Sequence, residues 1–166
     1  IRMAAEILRG GGLVAFPTET VYGLGADALN AEAVGKVYAA KGRPSDNPMI
    51  VHIAQKSDMN KLTDGITPEV ERLMEAFWPG PLTMVVPAKD LIPRVTTGGL
   101  ATVGVRMPED ETARALIAAA GTPIAAPSAN LSGKPSPTRY SHVAEDLDGR
   151  IDAIIAGDDC KAGIES

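Results

Sequence analysis

Apolar positions recur along the chain with two different periods, and the points where the period changes mark the elements. Ala4, Ile7 and Leu8 sit at helical spacing and stop at Gly10-Gly11-Gly12, which predicts a first helix and its end. Residues 13–16 then form a short continuous apolar run, the pattern of a buried strand. Asn30 is placed to cap a helix over 31–40, closed by Lys41-Gly42. The β-rich run 49–53 follows Pro48 and reads as a strand. Thr67-Pro68 opens the clearest helix, because Val70, Leu73, Met74, Phe77 and Trp78 follow i, i+3, i+4, i+7, i+8, and such a stripe is expected to face a sheet.

Pro79-Gly80-Pro81 stops that helix, and strands are expected over 82–86 and 102–107 with a Gly98-Gly99 turn between them. Asp110 can cap a helix whose Ala113, Leu116, Ile117 and Ala120 share one face. A strand over 123–126, a short helix over 141–147 and a last strand over 151–156 complete the pattern. Helices and strands interleave without an internal repeat. The expected class is α/β, a mixed twisted sheet flanked by helices, in one domain over residues 1–166.

Composition narrows the function classes. The length of 166 residues and 45% hydrophobic content suit one globular core. A formal net charge of -5 argues against a surface built to neutralise many phosphates, while leaving room for a local basic cluster. Cys160 is the only cysteine, so neither a disulfide framework nor a cysteine zinc site can form, which favours a cytoplasmic setting. No apolar run approaches the ~20 residues that cross a bilayer, so no membrane association is expected. The chain lacks an initiator Met and stops soon after a strand-like stretch, so both ends are expected to be trimmed from a longer protein.

Three segments carry candidate chemistry. Lys41-Gly42-Arg43-Pro44 sets two cations two residues apart, and in a non-helical stretch a period near two sends both side chains to one side, where they suit a phosphate chain. Equally, Lys41 could complement a helix C-terminus and Arg43 could be solvated. Ser128 and Asn130 repeat the spacing just after an apolar strand, where ligands of open α/β sheets sit; they could as well satisfy a turn. The loop 17–25 packs hydroxyls, the Glu19 carboxylate and two glycines between a strand and a helix. Its glycine spacing is not that of a dinucleotide fingerprint, and no GxxxxGK[ST] loop occurs in the chain.

Two further residues stand out within strands. His52 reads as a satisfied, partly buried imidazole, and with two histidines in the chain a histidine metal site is not expected. Arg106, inside an apolar strand, needs an anionic partner: a structural Asp or Glu by default, a substrate carboxylate as the alternative.

In this order, Lys41-Gly42-Arg43-Pro44-Ser45-Asp46-Asn47-Pro48, Val51-His52-Ile53, Val105-Arg106-Met107-Pro108, Pro127-Ser128-Ala129-Asn130 and Gly163-Ile164-Glu165-Ser166 resemble the YrdC-like threonylcarbamoyl-adenylate synthase family. The loop 17–25 is similar to that family's opening signature. The resemblance implies a synthase that joins L-threonine, bicarbonate and ATP into threonylcarbamoyl-adenylate and pyrophosphate. Other proteins would then transfer the product to an adenosine of certain tRNAs, with tRNA contact indirect.

By that resemblance Lys41 and Arg43 are the catalytic cations. With Asn47, Thr102, Ser128, Asn130 and Ser136 they hold the nucleotide, whose phosphates carry Mg2+. Thr20, His52, Arg106, the Ala126 backbone and Ser166 would surround L-threonine. The family's domain normally continues past the serine matching Ser166 into a further strand and a basic nucleotide contact. Two rivals remain open: a carbamoyl-adenylate-forming domain of hydrogenase maturation, and a non-catalytic RNA-binding module, which the net charge disfavours.

Overall fold

Three helices begin where the sequence offers a side-chain oxygen to an N–H left over at the helix start. Asn30 accepts from the Ala33 N–H at 3.1 Å, Thr67 from Val70 at 3.3 Å and Asp110 from Ala113 at 2.9 Å. They open α2 (Ala31–Lys41), α4 (Pro68–Phe77) and α6 (Glu111–Ala120), while α1 (Arg2–Arg9) ends at Gly10. In this computed structural model the described residues are 1–42, 48–129, 143 and 151–155.

The described strands are β1 (Val14–Phe16), β2 (Gly23–Asp27), β3 (Ile50–His52), β4 (Met84–Pro87), β5 (Thr102–Arg106), β6 (Ile124–Ala125) and β7 (Ala153–Ile154). They form one sheet in the order β4-β5-β3-β6-β2-β1-β7. β3/β5 and β1/β7 pair in parallel and the other neighbours antiparallel, so the sheet is mixed, as the interleaved pattern predicts.

Several expectations need correction. The loop 17–25 is shorter than its polarity suggests: from Gly23 it is already strand β2, which lacks the β-branched residues that signal one. Gly25 belongs there because a Cβ would lie 2.7 Å from the Phe16 ring and 2.9 Å from Ile124. Two short helices, α3 (Met59–Leu62) and α5 (Arg94–Thr97), have no periodic signature and went unforeseen. The stripe of α4 is only half used: Met74 and Trp78 are buried, whereas Leu73 and Phe77 are exposed. The helix expected over 141–147 lies outside the described residues except for Val143, which is helical and buried.

The core has two layers divided by the sheet. On one face Leu24, Val51, Val105 and Met84 pack with Val34 and Val37 of α2, Met59 and Leu62 of α3, and Met74 of α4. On the other, Val14, Phe16, Ile124 and Ala126 pack with Leu8 of α1 and with Leu116 and Ile117 of α6. The second cover stops short of the β4 edge. Met84 and Val86 of β4 belong to the first layer, so Val85 points to the second side, where it is 69% exposed. A functional site has room on this less covered side.

Candidate active site

Strand register gathers the site. β3 and β5 run parallel with His52 opposite Arg106, and β6 crosses β3 antiparallel with Ile124 opposite His52. Paired residues share a face, and so do residues two apart. His52, Arg106, Ile50, Gly104, Thr102, Ile124 and Ala126 therefore point to the side bearing α1 and α6. Beyond β6 the chain stays extended, since Ala126 donates to the Ile50 carbonyl at 3.0 Å and Ser128 bridges to Gly23.

These residues and the loop after β1 enclose a cavity of roughly 170 Å³. Thr20, His52, Arg106, Ala126 and Ser128 line it, together with Thr18, Val21, Gly23, Pro48, Met49, Ile50 and Pro127. Sequence reasoning did not single out the last seven as site residues. Thr18, Val21 and Gly23 belong to the loop 17–25 and Pro48 and Pro127 to the quoted segments, but being apolar, backbone-like or locally bonded they gave no individual signal. Drug-sized ligands occupy clefts of about 300 to 1,000 Å³, so a pocket this small suits an amino acid rather than a whole nucleotide.

Arg106 is the most buried charge of the site, its side chain 2% exposed. Its partner is Glu19, whose Oε1 pairs with Nη2, so the structural carboxylate expected by default is present. Nε donates to the Gly80 carbonyl at 3.2 Å and Nη1 to the Thr20 hydroxyl at 3.4 Å. Burial lowers the guanidinium's pKa from its usual range, and the charge and hydrogen bond of Glu19 oppose that shift. Glu19 was legible only as a carboxylate in a loop. The signal that points to it is the buried arginine's need for a counter-charge.

His52 is buried, with Nδ1 3.2 Å from the Ile50 carbonyl and the Phe16 ring edge-on at 6.3 Å. Burial, and next the nearby Arg106 charge, lower its pKa to about 3. The imidazole is therefore neutral at ordinary pH and acts as a hydrogen-bonding group rather than a cation.

Lys41 corrects the period-two expectation. It is the last residue of α2, and Gly42 follows in a left-handed conformation at φ 64, so the backbone at Lys41-Gly42 is helical and then left-handed rather than extended. Its buried side chain instead reaches across the fold, and Nζ donates to the Ser128 carbonyl. The two segments that looked separate in sequence thus meet at the cavity's rim. Thr102 starts β5 on the site face but four residues before Arg106, about 13 Å along the strand, and does not line the cavity. Arg43, Asn47, Asn130, Ser136 and Ser166 lie outside the described residues.

Comparisons with known proteins agree with the fold. The Sua5/YciO/YrdC family model, described as "Telomere recombination", matches residues 6–166. A threonylcarbamoyl-AMP synthase of Pyrococcus abyssi is 57% identical over 166 residues, covering all of this chain and 49% of that protein. One of Halorhodospira halophila is 38% identical over 157 residues, covering 95% of this chain and 82% of that protein. Among solved structures, P. abyssi Sua5 complexed with L-threonine superposes with a TM-score of 0.97 at 57% identity, over 99% of this chain and 48% of that one. The chain spans about half the length of the first of these relatives. The fold, the register that builds the cavity and a model match over almost every residue lead to one conclusion: the chain belongs to the Sua5/YciO/YrdC family.

Proposed function

We propose that this chain makes L-threonylcarbamoyl-adenylate from L-threonine, bicarbonate and ATP, with release of pyrophosphate, as one synthase domain over residues 1–166. The observation that carries the proposal is the convergence of Thr20, His52, Arg106 and Ala126 on one small cavity, with Ser128, the residue Lys41 touches, at its rim. Two further facts support it. The relative from H. halophila, most of whose length this chain covers, is named threonylcarbamoyl-AMP synthase, and the P. abyssi protein was solved with L-threonine.

In this mechanism the cavity takes the amino acid. Arg106 faces its carboxylate, while Thr20, His52, Ala126 and Ser166 complete the surround. A neutral His52 adds no positive charge, which leaves Arg106 to select the carboxylate. Bicarbonate converts the amine to a carbamate with loss of water. One carbamate oxygen then attacks the α-phosphorus in line, and the bond from that phosphorus to the β-phosphate oxygen breaks to free pyrophosphate.

Lys41 and Arg43 offset the repulsion between a dianionic amino-acid carbamate and the triphosphate, and stabilise charge on the leaving group. Asn47, Thr102, Ser128, Asn130 and Ser136 hold the nucleotide. Positioning and electrostatics carry such a transfer without a dedicated general base.

Mg2+ enters on the phosphates, as it commonly does in phosphoryl chemistry. An ion delivered on ATP needs no protein cage, and among the described residues no group of three or more His, Cys, Asp or Glu could hold a metal ion. Its chemistry is charge neutralisation on ATP. The product then passes to threonylcarbamoyl-transferase proteins acting on tRNA, and a cytoplasmic setting suits ATP, threonine and tRNA. Among the described residues no helix is long and apolar enough to cross a membrane.

Pyrophosphate release from ATP, with threonine and bicarbonate omitted in turn, tests the proposal. Release that needs both is expected. Release indifferent to threonine overturns the substrate assignment.

A further inference from the structure

We propose that Glu19 is the positioning residue for amino-acid binding: acting through Arg106, it fixes the orientation in which the cavity's arginine meets the substrate carboxylate. The inference rests on the functional reading above and deepens it. Glu19 is absent from the cavity lining, so its action on a ligand is indirect.

Both oxygens of the carboxylate are engaged: Oε1 with Arg106 Nη2, and Oε2 as acceptor of the Glu109 N–H at 2.6 Å. Glu19 thereby ties the loop after β1 to the corner between β5 and α6. The loop itself is fixed locally, because the Thr18 hydroxyl donates to the Val21 carbonyl at 2.6 Å and accepts from the Thr20 and Val21 N–H groups, each at 3.2 Å.

Arg106 is thus attached through its three guanidinium nitrogens to two separate chain segments, the loop at Glu19-Thr20 and Gly80. Glu19 supplies the one charged attachment among those three. A guanidinium presents a rigid planar fork, so a small rotation misdirects every remaining donor at once. The ion pair is also what makes a nearly inaccessible guanidinium tolerable, since a buried charge needs a counter-charge. Glu19 is 15% exposed at its side chain and so remains partly wetted while its partner is not.

The test measures binding of L-threonine and of ATP to the full chain by calorimetry, for the wild type, Glu19→Gln, Arg106→Lys and the double variant. Glutamine keeps the shape but loses the charge, and its amide nitrogen cannot accept the Glu109 N–H. Glu19→Gln is expected to weaken threonine about tenfold, the size of one charge-assisted hydrogen bond, with ATP affinity within twofold of wild type. On the Arg106→Lys background the same change is expected to add less than twofold, because its route to the ligand is already gone.

Unchanged or tighter threonine binding by Glu19→Gln overturns the inference. So does an equal loss for ATP, which marks a general structural defect, or a full additional loss on the Arg106→Lys background. If Glu19→Gln does not fold, Glu109→Pro carries the test by deleting the N–H that holds Oε2; weaker threonine binding with unchanged ATP binding supports the inference and unchanged threonine binding overturns it. No threonine binding by the wild type overturns the functional reading and this inference together, whereas wild-type binding matched by Glu19→Gln overturns the inference alone.

Discussion

On one face of the sheet Leu24, Val51 and Val105 are sealed by α2, α3 and α4, while on the other His52, Arg106 and Ala126 lie where the cover of α1 and α6 runs out. Both faces are read from the same strands, one residue apart. Val51 is core and His52 lines the cavity; Val105 is core and Arg106 lines the cavity. Alternation alone does not distinguish a functional strand from a structural one. What separates them is where the helices end, which leaves polar residues buried enough to be firmly oriented yet open to a ligand.

The contrast can be broken, beginning with the largest effect. Leu62→Ala, on the sealed face, is expected to lower unfolding free energy by about 2–5 kcal/mol while leaving the threonine KM unchanged. Urea denaturation with parallel kinetics checks this, and a raised KM would show that the two faces are coupled. Lys41→Ala is expected to do the reverse, reducing pyrophosphate release about a hundredfold, as loss of one strong charge-assisted contact in the transition state implies. Retained rate would remove Lys41 from the chemistry.

His52 gives a pH-dependent effect. Its folded pKa of about 3 lies below the unfolded value of 6.5, so between those values the unfolded state binds more protons. The stability it contributes is complete above pH 6.5 and is lost as pH falls toward 3, at up to ~1.4 kcal/mol per unit. Unfolding free energies from pH 4 to 7 for the wild type and His52→Gln should differ in slope in that sense. Equal slopes would mean that the imidazole is not held neutral. The smallest effect belongs to Val85, exposed on the less covered face, where Val85→Ser should change stability by less than ~0.5 kcal/mol. A larger loss would reveal that something covers that surface.

The helices with side-chain caps were fully legible, because Asn30, Thr67 and Asp110 announce themselves beside periodic runs. β2 was not, since Gly23-Leu24-Gly25-Ala26-Asp27 owes its extended form to close packing on Phe16 and to pairing with β1 on one side and, on the other, with β6, which is distant in sequence. The site divides along the same line. Thr20, His52, Arg106, Ala126 and Ser128 could be nominated from motifs, and the fold gathers them. The attachment of Lys41 to Ser128 and the identity of Arg106's counter-ion were invisible, because each joins residues 87 positions apart.

That separation has a kinetic consequence. Contacts between residues so far apart must wait for most of the chain to be arranged, since closing long loops costs entropy before the contact returns any free energy. Lys41 with Ser128, Glu19 with Arg106 and Glu19 with the Glu109 backbone all span the molecule in this way. Helices and hairpins assembled only from sequence neighbours lack these contacts. A ligand that needs these groups together recognises only the completed topology, and its binding pulls the folding equilibrium as a whole.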